Sequence, residues 1–252
     1  MTKINDIINY FETFAPTCLA MDFDNVGLLV GDKSKEISKV LVTLDITKDV
    51  VFEAENLGCE LIISHHPVIF SPVKRLWCDD VPYLLASKGI SALCMHTNLD
   101  LSDIFGVNLC LAEAIGVKNT VKSETGECLF IGELENETDI NEFAEKVKKS
   151  LNCNGVRYTD VKKTVKKVAV SSGAGGSEIF CASQIGADVL VTGEIKHHEI
   201  NAGNELGINI IDAGHFKSED VVILPLIKRL SDNFSDIIFT KSTTYSDNIK
   251  FI

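Results

Sequence analysis

The sequence predicts an α/β protein made of two related halves with largely parallel or mixed sheets. Short runs of Val, Ile and Leu alternate with amphipathic stretches along the chain, a pattern that indicates strands alternating with helices. The second half also repeats the first, because Val40–Gly58 matches Val168–Gly186 with equal spacing and each copy continues into a matching apolar run. With 252 residues, 45% of them hydrophobic, the chain is long enough for two small domains or one large one.

The elements of the first half follow from periodicity and capping. Thr47 is a suitable N-cap for the helix after the first repeat strand, and Gly58 is a suitable residue to end it. The apolar run Leu61–Ser64 then completes a β-α-β unit, whose crossover is expected to be right-handed. Helices are predicted over 2–14, between 47 and 58, over 81–88 and over 108–115, and strands over 40–45, 59–64 and 91–95, with a further short strand within 22–32 after a loop.

The elements of the second half alternate in the same way. The polar segment 117–127 is the predicted boundary, which gives a first half of residues 1–125 and a second half of residues 126–252. Strands are predicted over 128–134, 168–171, 188–192, 208–211 and 237–240, and helices over 140–151, before Gly186, before Gly207 and over 219–230.

Charge and cysteine usage exclude several classes of function. A net charge of −12 argues against a general affinity for nucleic acid, which rewards clustered Lys and Arg, and the one basic run, 161–167, is interpreted as a solvated connection. The eight cysteines form no C-x-x-C pair, and no apolar run approaches the roughly 18 residues of a membrane span. We therefore expect a soluble, cytoplasmic protein with reduced cysteines and no membrane partner.

Histidines and carboxylates follow the predicted strands at the places where each strand ends. Ligands of open α/β sheets bind outside the carboxyl ends of the strands, so these side chains are expected near one site. Imidazole and carboxylate without thiolate favour Zn, Mn, Fe, Co or Ni over Ca or Mg. The predicted ligands of a metal centre in the cleft between the halves are His65, His66, Asp100, His215 and Glu219.

Residue spacing favours two metal ions over one. If a helix begins near His215, Glu219 lies one turn later on the same face and can point at the same centre. In an extended strand, His65 and His66 would point to opposite faces, which fits a single ion poorly unless the loop turns sharply before Pro67. Two ions about 3.5–4 Å apart, bridged by a carboxylate, solve this difficulty. The alternative is that these groups only hydrogen-bond across a polar cleft.

Six motifs together resemble those of the GTP cyclohydrolase 1 type 2 family, the Ngg-interacting-factor-like proteins, and the resemblance runs from the first helix to the last. The motifs are Asp24-Asn25-Val26-Gly27-Leu28 with Val30-Gly31-Asp32, Ser64-His65-His66-Pro67, His96-Thr97-Asn98-Leu99-Asp100, Gly173-Ala174-Gly175, Thr192-Gly193-Glu194 with His197-His198, and Gly214-His215-Phe216 with Glu219.

The resemblance implies a cytoplasmic, ring-like homohexamer with a dinuclear metal centre in each subunit. It implies that His65 and Asp100 hold one ion, that His66 and His215 hold the other, and that Glu219 contacts both. The identity of the two divalent ions (Zn, Mn, Fe, Co or Ni) stays open.

Other residues of the motifs are candidates for supporting roles. His96, His197 and His198 are assigned to the pocket wall, where they orient ligands or shuttle protons, and a third-ligand role for His96 stays open. Glu194 or a pocket histidine is the candidate general base.

Two further motifs are candidates for cofactor or ligand contacts. Asp24 and Asn25 can reach a ligand, although such turn-forming residues often satisfy their own backbone. Gly173 and Gly175 follow a strand and precede a helix, where backbone N–H groups can face an anion, although the loop lacks the Gly-Lys-Ser/Thr ending of a nucleotide-triphosphate loop.

The function that these observations favour is that of a metal-dependent hydrolase acting on a small molecule. The resemblance points to opening of the purine ring of GTP, and phosphoester hydrolysis would use the same ions. The alternative is a non-catalytic metal-binding protein that serves metal delivery, storage or regulation. A third hypothesis, a ring that encircles nucleic acid, is opposed by the acidic charge.

Overall fold

The computed structural model describes residues 1–252, and the contacts within it divide the chain into two units. The first unit comprises Met1–Phe105 and Ile223–Ser246, and the second comprises Gly106–Val222 and Asp247–Ile252. This division differs from the expected boundary after residue 125 in two respects. The helix from Val107 packs in the second core, and the chain returns to the first unit near its C-terminus.

The first unit contains one five-stranded sheet. Its helices are α1 (Ile4–Phe11), α2 (Lys48–Leu57), α3 (Val81–Ser87), α4 (Thr97–Asp100) and α10 (Ile223–Asn233), and its strands are β1 (Gly27–Val30), β2 (Lys39–Thr43), β3 (Leu61–Ser64), β4 (Ser91–Cys94) and β11 (Ile238–Lys241). The strand order is β1-β4-β3-β2-β11. Only β1 is antiparallel to its neighbour, so the carboxyl ends of the other four strands share one edge.

The second unit contains one six-stranded mixed sheet. Its helices are α5 (Val107–Ile115), α6 (Ile140–Ser150), α7 (Ile179–Gln184), α8 (His197–Leu206) and α9 (His215–Asp220), and its strands are β5 (Lys118–Lys122), β6 (Phe130–Asp139), β7 (Arg157–Tyr158), β8 (Thr164–Ser171), β9 (Val189–Thr192) and β10 (Asn209–Asp212). The order is β5-β6-β8-β9-β10-β7, with β8, β9 and β10 parallel. The mixed α/β fold class predicted from the sequence is confirmed.

Alternation along the central strands explains how helices cover both faces of the second sheet. Val168 and Val170 of β8 point into a core with α5 and α6, whereas Ala169 between them packs with α7. In the first unit, a core lies between β2–β4 and the helices α2 and α3. Burying these apolar side chains is the main favourable term in folding.

The repeat seen in the sequence is also a repeat of strand pairing. Thr43 pairs with Ser64 in the first unit, and the residues at the corresponding repeat positions, Ser171 and Thr192, pair in the second. The intervening helices are each followed by a glycine with a positive φ, Gly58 at 70° and Gly186 at 74°. The two β-α-β segments therefore have the same backbone plan.

Besides the domain boundary, two predicted features differ from the structure. The polar segment 117–127 contains β5, which forms the solvated edge of a sheet and so lacks an apolar pattern. The predicted helix over 219–230 is two helices, because Glu219 is buried in the second unit while Leu226 and Leu230 belong to the first. Apolar residues continue through the break, so no local signal marks the end of the first helix.

The expectations about cysteines and membranes are tested in part. All eight cysteines are thiols rather than disulfides, and burial raises the pKa of Cys59 and of Cys153 to about 11. No helix has the length and apolar character that crossing a membrane requires.

Candidate metal centre

Two adjacent histidines lie directly beyond the C-terminal end of β3 in the first unit. The extended strand ends at Ser64, and the chain then bends while Ser64 Oγ donates to the carbonyl oxygen of His66 at 2.8 Å. The two imidazole centroids are 5.0 Å apart with the rings tilted by 45°. The opposite-face geometry of an extended strand does not apply to His65 and His66, because the strand ends at Ser64 and the chain turns before Pro67.

A third imidazole joins this pair from the neighbouring strand. Because β3 and β4 are parallel and pair Ser64 with Cys94, their carboxyl ends lie side by side. The ring of His96 is 5.2 Å from that of His65 and 5.5 Å from that of His66, and all three can offer ligand atoms within 4.8 Å of one another. Asp100 ends α4, and its Oδ1 lies 3.6 Å from His65 Nε2.

Each of these three imidazoles is oriented through its Nδ1 atom. His65 donates to the carbonyl oxygen of Met95, His66 to Asp45 Oδ2 and His96 to Asp24 Oδ1, each at 2.9 Å. Because the partners are acceptors, Nδ1 carries the proton and Nε2 presents its lone pair. Metal-ligating histidines in proteins are held in this way.

Asp45 was not among the predicted site residues, although strand register determines its position. Parallel pairing of Thr43 with Ser64 places Asp45 beside His66 two residues later. A carboxylate at that position therefore follows from the register of β2 and β3.

Asp24 is a partner of His96 in this structure. Its side chain has no exposed surface, and it also accepts hydrogen bonds from the backbone N–H and the hydroxyl of Thr97. Burial opposes ionisation of Asp24, but the hydrogen bonds from His96 and Thr97 outweigh it and hold its pKa well below the usual value. Asn25, the other residue predicted to contact a ligand, donates its amide to the carbonyl oxygen of Ile69 at 2.6 Å.

The second unit contributes a histidine and a carboxylate on one helix face. His215 is the first residue of α9, and its Nε2 lies 3.2 Å from Oε2 of Glu219, one turn later. Its Nδ1 donates to Glu194 Oε1 at 2.8 Å. The hydrogen bond to Glu219 raises the pKa of His215 to about 9, against the effect of burial and with a further contribution from Glu194. The predicted one-turn spacing is confirmed.

The glycines predicted to face an anion are packed against side chains. A Cβ at Gly173, whose φ is +57°, would lie 2.2 Å from Glu219 Oε1 and 3.4 Å from His215 Cε1. The N–H of Gly173 donates to Ser218 Oγ at 3.0 Å, and a Cβ at Gly175 would lie 2.2 Å from Ser171 Oγ. Glycine at these positions permits close approach of the turn to α9 and to β8.

The remaining predicted residues lie at the start of α8 and before it. His197 and His198 are exposed, and Asn201 Nδ2 lies 3.4 Å from the Nε2 atom of His197. Neither histidine lines the cavity described next. Glu194 does line it, and its side chain is 59% exposed.

A cavity of about 530 Å³ lies within the second unit beside His215. Arg157, Lys196 and Phe251 also line it, and no sequence pattern singled them out. Arg157 lies on a two-residue strand with no periodicity, and Phe251 lies in a terminal segment outside any helix or strand.

The donor set within each unit fits a divalent transition metal. In the first unit, three imidazoles with fixed Nδ1 atoms lie near a carboxylate, and in the second unit one such imidazole lies 3.2 Å from a carboxylate oxygen. Nitrogen and oxygen donors of this kind suit Zn, Mn, Fe, Co or Ni.

Comparison with known proteins gives consistent similarities along the whole chain. The family model for Duf34/NIF3 (NGG1p interacting factor 3) matches residues 2–248. A Clostridium perfringens protein named GTP cyclohydrolase 1 type 2 homolog is 37% identical over 266 aligned positions, covering 99% of this chain and 100% of the relative.

Solved structures show the same similarity in three dimensions. The crystal structure of a Staphylococcus aureus hypothetical protein superposes with a TM-score of 0.91 at 31% identity and covers 99% of both chains. A Bacillus cereus protein described as related to NIF3 superposes with a TM-score of 0.89 at 26% identity, covering 100% of this chain and 99% of its own.

Proposed function

This chain belongs to the Duf34/NIF3 family, and on that premise we propose that it is a dinuclear metal-dependent hydrolase. In this proposal His65 and Asp100 hold one divalent ion, His66 and His215 hold the other, and Glu219 contacts both. The separations within each unit support it, since His65 Nε2 lies 3.6 Å from Asp100 Oδ1 and His215 Nε2 lies 3.2 Å from Glu219 Oε2.

The observation that carries the proposal is the shared orientation of the histidines. Every imidazole assigned to the ions donates its Nδ1 proton to a main-chain or carboxylate oxygen at 2.8–2.9 Å. A histidine that merely filled a polar cleft would not need the same nitrogen engaged each time. This arrangement fixes the tautomer that a metal ligand requires and makes Nε2 more basic.

Divalent ions at such a site supply Lewis acidity and lower the pKa of water toward neutrality. The side chains around them have separate tasks. His96, held by the buried carboxylate of Asp24, offers Nε2 for moving a proton next to His65 and His66. Glu194 is the other candidate general base, although its bond to His215 Nδ1 also gives it a role in positioning that ring.

The name shared by the curated relatives supports a nucleotide-like substrate. For the Clostridium perfringens relative, the name refers to a GTP cyclohydrolase. We propose the corresponding reaction class here: hydrolytic opening of a purine ring, or hydrolysis of a related nucleotide or phosphoester.

We further propose a cytoplasmic, ring-like homohexamer. Eight cysteines that all remain thiols suit a reducing compartment. Light scattering of the purified protein should give six times the chain mass of 27.6 kDa.

Metal loading combined with a substrate screen tests the hydrolase proposal. The purified chain would be loaded in turn with Mn, Fe, Zn and Co and assayed with GTP and with phosphoesters. His66→Ala should lose both bound metal and turnover, whereas His198→Ala, whose side chain is 72% exposed, should keep both. Stable metal binding with no turnover on any substrate would overturn the hydrolase proposal in favour of a metal-binding protein.

A further inference from the structure

The cavity beside His215 contains cationic and apolar groups that the metal centre does not use. Arg157 and Lys196 line it together with Ile249 and Phe251 of the C-terminal segment. All of these residues belong to the second unit. The two cations lie in a cavity that is also lined by the carboxylates of Glu194, Glu199 and Asp212, so the contacts of each charged group decide what the cavity can bind.

Arg157 is held in a fixed orientation by a buried carboxylate. Strand β7 pairs antiparallel with β10, and this pairing places Arg157 opposite Asp212. Asp212 Oδ2 accepts from Arg157 Nε at 3.1 Å and also from Nη2, while Oδ1 accepts from the N–H of Gly214 at 3.0 Å. The Asp212 side chain is only 6% exposed, so the guanidinium is anchored from the protein side.

The outer part of the same guanidinium remains available to a ligand. The Arg157 side chain is 67% exposed, and its bonds to Asp212 use two of the five N–H donors. A guanidinium fixed in this way is prepared for bidentate contact with a carboxylate or a phosphate, because little conformational freedom is lost on binding.

Each of the other two carboxylates that line the cavity accepts a hydrogen bond from the protein. Glu199 is buried and accepts from the N–H of Lys196 at 2.7 Å. Glu194 accepts from His215 Nδ1. The exposed Lys196 and the hydroxyl group of Ser177 add donors to the same cavity as Arg157.

The C-terminal segment supplies the apolar part of the cavity. The ring of Phe251 lies so close to Gly155 that a Cβ there would be 2.9 Å from two ring carbons. Ile249 lines the cavity as well. An aromatic ring beside an aliphatic side chain is suited to a planar or apolar part of a ligand.

We infer that this cavity binds a small organic oxyanion. Its phosphate or carboxylate group contacts Arg157 and Lys196, and its planar part contacts Phe251 beside His215. The inference rests on the proposed function for placing a substrate at this centre and specifies the class of that substrate. Binding of the anion itself requires no turnover, so the two proposals can fail separately.

Calorimetric titration of the full-length chain tests the inference, both zinc-loaded and after chelation. The probes are phenyl phosphate, inorganic phosphate, benzoate and the neutral analogue benzyl alcohol. We expect at least one anion to bind in both states and the neutral analogue to bind more weakly. Tighter binding of phenyl phosphate would identify a phosphate ligand, and tighter binding of benzoate a carboxylate ligand.

Matched variants locate the bound anion. Arg157→Gln should weaken binding by about 10- to 100-fold, the loss expected for charge-assisted hydrogen bonds, whereas Arg75→Gln, an exposed arginine of the first unit, should not change it. Lys196→Gln leaves the Asp212 pair intact and should weaken binding even if Arg157→Gln folds poorly. Phe251→Ala should weaken the binding of phenyl phosphate more than the binding of inorganic phosphate.

Two results would overturn the inference. One is anion binding that is unchanged in both Arg157→Gln and Lys196→Gln, and the other is binding that disappears when zinc is chelated. The second result would place the anion on the metal ions alone. Anion binding by a natural chain that shows no turnover on any substrate would instead count against the hydrolase proposal and leave this inference standing.

Discussion

The two units share a scaffold but differ in the side chains at their strand ends. Glu60 precedes β3 and accepts from the N–H groups of Ser38 and Lys39 at 3.1 and 2.9 Å. In the second unit, Asp188 precedes β9 and accepts from the equivalent N–H groups, those of Lys166 and Lys167, at 3.0 and 2.9 Å. These carboxylate–backbone hydrogen bonds occur in both units because they hold the same backbone conformation in each.

At the carboxyl ends the similarity stops. His65 and His66 follow β3, whereas Gly193 and Glu194 follow β9. His96 and His215 also differ by one residue in their place relative to the helix that follows each strand. His96 caps α4, while Gly214 caps α9 and His215 is the first residue of that helix. Two β-α-β segments can therefore share the same strand pairing and carry different functional side chains.

The largest expected effect comes from filling the space that the second unit leaves beside Glu219. In Gly173→Ala, the new Cβ would lie 2.2 Å from Glu219 Oε1 and displace the carboxylate from His215. We expect the metal content to fall well below two ions per chain, because Glu219 contacts both ions in the proposed arrangement. Elemental analysis of the metal-loaded protein measures this loss.

Gly186→Ala is the matched control for that change. Gly186 also has a positive φ, +74°, but no atom lies within 4 Å of the position that its new Cβ would occupy. The variant therefore shares the backbone strain of about 1–2 kcal/mol without the clash. It should melt at a lower temperature yet retain its metal. Full metal content in Gly173→Ala would show that Glu219 is not a ligand.

A smaller effect is expected from removing the carboxylates that hold the histidines. Asp45 supports His66 in the first unit, and Glu194 supports His215 in the second. Asp45→Ala should weaken metal binding by about 10- to 100-fold, which is the usual consequence of losing such a support. Glu194→Ala should have less effect, since the Glu194 side chain is 59% exposed against 35% for Asp45 and water can replace it more readily.

Competition with a chelator measures both affinities. Asp45→Asn keeps an acceptor for Nδ1 and should recover part of the loss. Equal losses of metal affinity in Asp45→Ala and Glu194→Ala would show that the exposure of the supporting carboxylate does not matter. No effect of Asp45→Ala would argue that His66 binds no metal.

The sequence predicted the strands and helices better than the side-chain contacts between them. Apolar runs and helix-ending glycines located most strands and helices, because these signals are local and depend on burial and on backbone conformation. The edge strands β5 and β7 were missed, since a strand at the solvated edge of a sheet needs no apolar pattern. Similarly, the apolar residues across Val221 and Val222 concealed the break between α9 and α10.

Site residues were predictable where local spacing determined them. His215 and Glu219 lie four apart on one helix, so their proximity followed from the helical repeat. Asp24 and His96 are 72 residues apart, and Arg157 and Asp212 are 55 apart, so only the tertiary fold brings each pair together. Asp45 falls between these cases, because its place beside His66 follows once the register of β2 and β3 is known.

The smallest expected effect is on stability. It tests whether the equivalent contacts of Glu60 and Asp188 contribute equally to the free energy of unfolding. Glu60→Ala and Asp188→Ala each remove a carboxylate that accepts two backbone N–H groups, so each should lower the free energy of unfolding at pH 7 by about 1–2 kcal/mol. Urea unfolding measures both variants, with the exposed Glu205→Ala as the control.

The same two carboxylates should make this stability depend on pH. Burial opposes their ionisation, but the backbone hydrogen bonds outweigh it and lower the pKa of Glu60 below 4.5 and that of Asp188 below 3.8. A carboxyl group whose pKa is lower in the folded state stabilises the protein above its unfolded pKa, and this contribution is lost as the pH falls through the folded value. The stability difference between each variant and the natural chain should therefore shrink below about pH 4.5 for Glu60 and below about pH 3.8 for Asp188. A difference that stays constant down to pH 3, or a large effect in only one unit, would show that the repeated contacts no longer contribute alike.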